Sequence, residues 1–169
     1  SITSSTANIR LGESVSCTVD GRQLVVGAPK ANVTVNASTS QYVGQVYVYD
    51  RTVENFISAG NTATFTALDS IRSLSKVTDN GIVANNYVIS GTKSITFDEI
   101  PTAGNLITIE TNSFKLIQSL YPSNYVGLNA ANVQFGYSAT ICPTNCSIYV
   151  GAPFYTIVPT TPYIGAVEP

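Results

Sequence analysis

The chain has 169 residues, of which 11% are charged, with eight lysines and arginines, ten aspartates and glutamates, and no histidine. The lack of histidine removes the usual general base near neutral pH and the commonest metal ligand, which excludes Ser-His and Cys-His nucleophilic centres and most zinc sites. The cations are scattered from Arg10 to Lys115, which argues against a phosphate-tracking groove, and no apolar run approaches the roughly 20 residues that span a bilayer.

No binding of nucleic acid and no membrane insertion is therefore expected. No secretory signal is expected either, since Ser1 to Ser5 are polar and no charged segment precedes an apolar run. A chain of this length buries a sizeable core without disulfides. Its richness in Val, Ile, Thr, Tyr, Ser and Asn is that of pleated, half-buried surfaces, so the expected class is all-β.

In chain order, the first organised segment is LGESVSCTVDGRQLVVGAPKA from Leu11. Val15, Cys17 and Val19 fall on one face of a strand, Asp20-Gly21 suits a tight hairpin, and Leu24-Val25-Val26 reads as a central strand covered on both sides. Pro29 cannot donate to a ladder and marks that strand's end. A second strand opens at Gly44 and runs to Tyr49. Beyond it, Thr62 to Ala67 alternates, Ser75 to Ala84 forms a hairpin around Asp79-Asn80-Gly81, and Pro101 to Gly104 is a turn. Ser94 to Phe97, Leu106 to Thr111 and Phe114 to Leu120 are three further strands. Short strands at this spacing suggest a small antiparallel β-sandwich.

From Phe135 the first pattern returns as FGYSATICPTNCSIYVGAPFY. The two segments align without a gap: Gly12 with Gly136, Ser14 with Ser138, Leu24 with Ile148, Val26 with Val150, and Gly27-Ala28-Pro29 with Gly151-Ala152-Pro153. Gly165-Ala166-Val167 repeats the strand that begins at Gly44. The expected organisation is a first repeat over 1–50, an inserted β-sandwich-like module over 51–120, and a second, truncated repeat over 121–169.

Cys142 and Cys146 flank a three-residue turn, where facing Cα atoms approach to roughly 5 Å, so a disulfide is one reading and two small apolar residues at a strand end is the other. Three cysteines without histidine do not make a zinc site. Among ten tyrosines, Tyr42, Tyr155 and Tyr163 lie near the repeat loops and are the candidate interaction surface, because tyrosine joins a large apolar face to a polar tip. Tyr47 and Tyr49 alternate with valines and are read as filling space between packed units. The triplets beginning at Asn32, Asn36 and Asn145 match glycosylation acceptors, yet such triplets arise by chance in an Asn- and Thr-rich chain. Asp98-Glu99, the only adjacent carboxylates, would point to opposite faces of a strand and so would not flank one glycosidic bond.

Phe135-Gly136 followed by Tyr149-Val150-Gly151-Ala152-Pro153, and Leu11-Gly12 followed by Val25-Val26-Gly27-Ala28-Pro29, resemble the FG-GAP repeat of integrin-α-like β-propellers. The resemblance implies propeller-blade repeats flanking the inserted module. Blades of that family often carry a calcium loop, but the turns at Asp20 and Asn145 lack the D-x-D-x-D-G spacing, so no calcium, other metal or cofactor is expected. The stretch NYVISGTKSITFDEIPTAGNLITIET, with GQVYVYDRTVENF and ICPTNCSIYVGAP, resembles large tail-associated proteins of marine cyanobacterial tailed phages.

That second resemblance implies a non-enzymatic structural module located in the virion. Its partners would be other virion subunits or further repeats of the same chain, with a host-surface glycan or receptor as an additional target. The alternative is a carbohydrate- or protein-binding adhesin module on a bacterial cell surface. A glycan-cleaving enzyme is the third reading and has no residue pattern in its favour.

Overall fold

The computed structural model describes residues 8–35, 37–71, 75–122, 133–142, 147–154 and 166–168. These residues form fourteen strands and no helix: β1 (Ser14–Cys17), β2 (Gln23–Ala28), β3 (Val33–Val35), β4 (Ser38–Ser40), β5 (Gln45–Ile57), β6 (Thr64–Thr66) and β7 (Val77–Asp79) come first. They are followed by β8 (Ile82–Val83), β9 (Tyr87–Ser90), β10 (Ser94–Phe97), β11 (Leu106–Leu120), β12 (Ser138–Ile141), β13 (Ile148–Ala152) and β14 (Ala166–Glu168). The described pairings are antiparallel, so the fold is all-β.

The chain divides into two compact units, one made of Ser1–Asp50 and Leu116–Pro169, the other of Arg51–Lys115. In the first unit the order is β1-β2-β5-β11, and β12-β13-β14 form a separate three-stranded sheet. The β1–β2 hairpin closes on a network around Asp20. The Thr18 hydroxyl and the Arg22 amide both donate to its carboxylate, at 2.7 and 3.1 Å, while the Gln23 amide donates to the Thr18 hydroxyl at 3.0 Å. Val25 and Val26 are both buried, as a strand between two others requires, and both β2 and β13 stop immediately before a proline.

In the second unit two sheets share one core. One has the order β5-β11-β7-β8, and the other is β6-β10-β9. Phe65, Ile95 and Phe97 from the smaller sheet meet Val77, Ile107 and Ile109 from the larger. Phe65 packs edge-on to Phe97, with centroids 5.9 Å apart. The β7–β8 hairpin turns on Asn80 and Gly81, whose φ values of 49° and 82° are those of the tight turn that matches strand twist.

One sequence expectation is corrected here. Leu106 to Thr111 and Phe114 to Leu120 are not two strands but the single fifteen-residue β11. The polar Asn112-Ser113 lies between the two expected strands, and the buried Thr111 hydroxyl before it is costly when unpaired. The Thr52 hydroxyl of β5 resolves that cost by bonding both the Thr111 hydroxyl and the Ser113 carbonyl at 2.8 Å, and the strand runs on. For the same reason β5 continues to Ile57, well beyond Tyr49.

Two outcomes follow for stability. Ile95→Ala, which empties a fully buried site, should lower unfolding stability by about 3 kcal/mol in chemical denaturation. Hydrogen bonding, first from the Thr18 hydroxyl and then from the Arg22 amide, holds the Asp20 carboxyl below its ordinary value near 3.8. A depressed folded-state pKa adds stability above the unfolded value and loses it as pH falls through the lower folded value. Asp20→Asn should therefore flatten the acid limb of the stability profile below about pH 4, measured by thermal melts across pH.

Candidate functional site

The two VGAP segments share one backbone geometry at a constant spacing of 124 positions, the separation of Ser16 and Thr140. In the first repeat Ser14 pairs with Gly27, Val15 with Val26, Ser16 with Val25 and Cys17 with Leu24. In the second, Ser138 pairs with Gly151, Ala139 with Val150, Thr140 with Tyr149 and Ile141 with Ile148. The flanking bonds repeat as well. Gly12 N donates to Gly27 O at 2.9 Å and Gly136 N to Gly151 O at 3.1 Å, while Thr18 N bonds Gln23 O as Cys142 N bonds Ser147 O. Even the left-handed residues match, with Arg10 at φ 56° and Gln134 at 58°, and Gly12 at 89° and Gly136 at 86°. The third strand is also equivalent: Gly27 faces Val46 on β5, and Gly151 faces Val167 on β14.

This equivalence creates an interface, because the second repeat is seated on the first. Val133, Phe135, Ile141, Val150 and Ala152 of the second repeat share a core with Val25, Val46 and Val48 of the first. Alternation in a strand explains the division of labour: Val25, Val46 and Val48 lie on one face of the first sheet, while Val26 and Ala28 lie on the other.

Along the edge, backbone meets backbone. Phe135 N donates to Val43 O at 2.8 Å. The Ser14 hydroxyl donates to Gly136 O at 3.0 Å, and Ile141 N donates to the Ser16 hydroxyl at 3.2 Å. A Cβ at Gly27 would overlap the carbonyl oxygen of Gly136, and one at Gly44 would overlap that of Phe135. Gly27 and Gly44 are therefore places where another chain segment lies flat on the strand.

The expected site residues fare unequally. Tyr42 is 43% exposed at a left-handed φ of 55°, with its amide donating to the Asn32 side chain and its carbonyl accepting from Gln134 N at 3.4 Å. It thus borders the seat through its backbone and turns its ring toward solvent. Tyr155, Tyr163 and Cys146 lie outside the described residues, and with Cys146 goes the Cys142–Cys146 pairing; Cys142 itself is half-buried just after β12. Tyr47 is half-buried beside Ala28 and donates to the Gln45 side chain at 2.7 Å. Burial pushes its phenol above the usual value near 10, with the neighbouring Tyr49 adding to the effect.

Sequence reasoning passed over Ser14 and Ser16 as interface donors and acceptors. The signal was present, since the equivalent positions hold Ser138 and Thr140, hydroxyls again.

In the second unit an open cleft of about 620 Å³ is lined by Asp79, Asn80, Asn85, Asn86, Asp98 and Asn105, with Asn105 Nδ2 donating to Asp79 Oδ1 at 2.8 Å. Among the described residues no cluster of three cysteines or carboxylates is placed to hold a metal ion. No protein-family model, curated protein or solved structure matches the chain.

The seat predicts a difference between two residues that are equivalent in sequence. Gly27→Ala should cost about 2 kcal/mol, because backbone of the second repeat must move away. Gly151→Ala meets only Ser138 among the described residues, so its denaturation midpoint should stay near that of the parent.

Proposed function

We propose that the chain is a non-enzymatic structural module of a phage virion, tail- or fibre-associated, whose work is to hold neighbouring subunits and to support contact with a host surface. The observation that carries this reading is the seating of one VGAP repeat on another through glycine-permitted backbone contact and a shared apolar core. That is packing hardware, in which the Ser14 and Ser16 hydroxyls bond the backbone of the second repeat.

The order β1-β2-β5, extended by β11 from outside the repeat, supports reading the first repeat as the greater part of a four-stranded propeller-type blade, as its resemblance to FG-GAP repeats implies. Closing a propeller takes roughly four to eight blades. Two repeats therefore leave faces for partners, either virion subunits or further repeats of the same chain. The likeness of the Asn86 to Thr111 stretch to tail-associated phage proteins supports the virion location.

A carbohydrate-binding adhesin is the second reading, and one observation favours it. The cleft of the second unit concentrates amides and carboxylates, the side chains that hydrogen-bond sugar hydroxyls, beside the exposed apolar Ile82 and Val83.

Immunogold labelling of purified phage particles carrying this chain should decorate the tail. On a glycan array the isolated chain should show no saturable binding. Binding that Asn85→Ala and Asp98→Ala abolish would replace the structural reading with the adhesin one. Turnover of a glycan, lost on substituting a single carboxylate, would replace both with an enzyme.

A further inference from the structure

We propose that Asn80-Gly81 is a self-modification site, where the chain's own backbone converts the Asn80 carboxamide into a carboxylate with water as the sole co-reactant. The site depends on the β7–β8 hairpin and stands apart from the structural reading above.

In this reaction the Gly81 amide nitrogen attacks the side-chain carbonyl carbon of Asn80. A carbon–nitrogen bond forms, the bond to the carboxamide nitrogen breaks, and that nitrogen leaves as ammonia with the proton given up by Gly81. Water then opens the resulting cyclic imide at either of its carbonyls. Opening on the side-chain side gives aspartate. Opening on the main-chain side gives isoaspartate, whose backbone runs through the former side chain. No oxidation or reduction is involved.

Asn80-Gly81 is the chain's only asparagine–glycine pair. Both residues are exposed, and among the described residues the Gly81 amide donates to no acceptor and the Asn80 carboxamide has no hydrogen-bond partner. Glycine leaves the attacking nitrogen unhindered, and a Cβ built there would meet nothing within 4 Å, so the ring has room to form. Ring closure requires the peptide between the two residues to rotate out of the turn, and the hairpin permits this. Strand β8 is two residues long, lies at the edge of its sheet, and exposes Ile82 to 75% and Val83 to 51%, the marks of a segment that opens locally at low cost. The left-handed φ of 49° at Asn80 adds strain that opening relieves.

Other sites show what protection looks like. At Asp20-Gly21 the Gly21 amide donates to the Thr18 carbonyl at 2.9 Å, while the Asp20 carboxylate accepts from the Thr18 hydroxyl and the Arg22 amide, so both reacting groups are engaged. Asn112, which precedes the small Ser113, lies inside β11 and is anchored to Ser70 through its amide at 2.9 Å and its Nδ2 at 3.5 Å. The Asn105 carboxamide is held by Asp79.

The two products differ in effect. Aspartate keeps the turn, since Asp-Gly suits the same tight hairpin as Asn-Gly, and adds negative charge to the cleft that Asp79 and Asp98 already line. Isoaspartate adds a carbon to the backbone between β7 and β8 and so displaces the register of their pairing.

Holding the full chain in warm, mildly alkaline buffer and mapping its peptides by mass spectrometry tests this. Position 80 should gain both acids, told apart by an isoaspartate-specific carboxyl methyltransferase, at least about ten-fold faster than any other described asparagine. The same chain in denaturant supplies the open-chain rate, and the folded chain should react within about ten-fold of it. Asn80→Asp, which supplies the charge without the added carbon, should melt as the parent does, whereas the isoaspartate fraction isolated by ion exchange should melt lower. An unmodified position 80, another described asparagine that converts as fast, or a folded rate more than about ten-fold below the open-chain one overturns the proposal.

Discussion

The first unit depends on the close approach of Phe135-Gly136 to the strands that carry Gly27 and Gly44. Two backbones come together there with no Cβ between them, and the carbonyls of Phe135 and Gly136 occupy the space that any other residue would fill. Such contact is possible only at glycine, and it lets Ser14 reach the Gly136 carbonyl and Val43 accept the Phe135 amide without gaps in the apolar layer beneath. Remove the approach and the cluster that joins Val25, Val46 and Val48 to Phe135 and Val150 has no way to close.

Within the first unit the second repeat is placed onto the first, which covers one face of each copy. The asymmetry is visible in the side chains: Val25 is buried while Tyr149 is not, and Ile141 is buried while Cys17 is not. The second unit follows a different logic. Its two sheets cover one another around Ile95, Ile107 and Ile109 and need no copy of themselves, and hydroxyls such as Thr52 and Ser58 secure its strands and turns from within.

Much of this was legible in the amino acids alone. The constant spacing between the two VGAP segments, the hairpins at Asp20-Gly21 and Asn80-Gly81, and the prolines that end β2 and β13 are local statements, written in turn chemistry and in alternation over a few residues. The class, all-β, follows from the same signals. The joining of Leu106 to Leu120 into one strand was not legible, because the residues in its middle are polar and their partner, Thr52, lies about sixty positions upstream.

What the sequence determined by itself is therefore the repeat and its register, since glycine, proline and period-two alternation act within a strand and its turn. What only the tertiary structure decided is which face of each repeat is covered. Val25 and Tyr149 stand at equivalent positions in strands of the same geometry, and nothing local separates them. The difference is that one lies under the second repeat, a contact made across more than a hundred residues of chain, and burial at that range is fixed by packing and not by pattern.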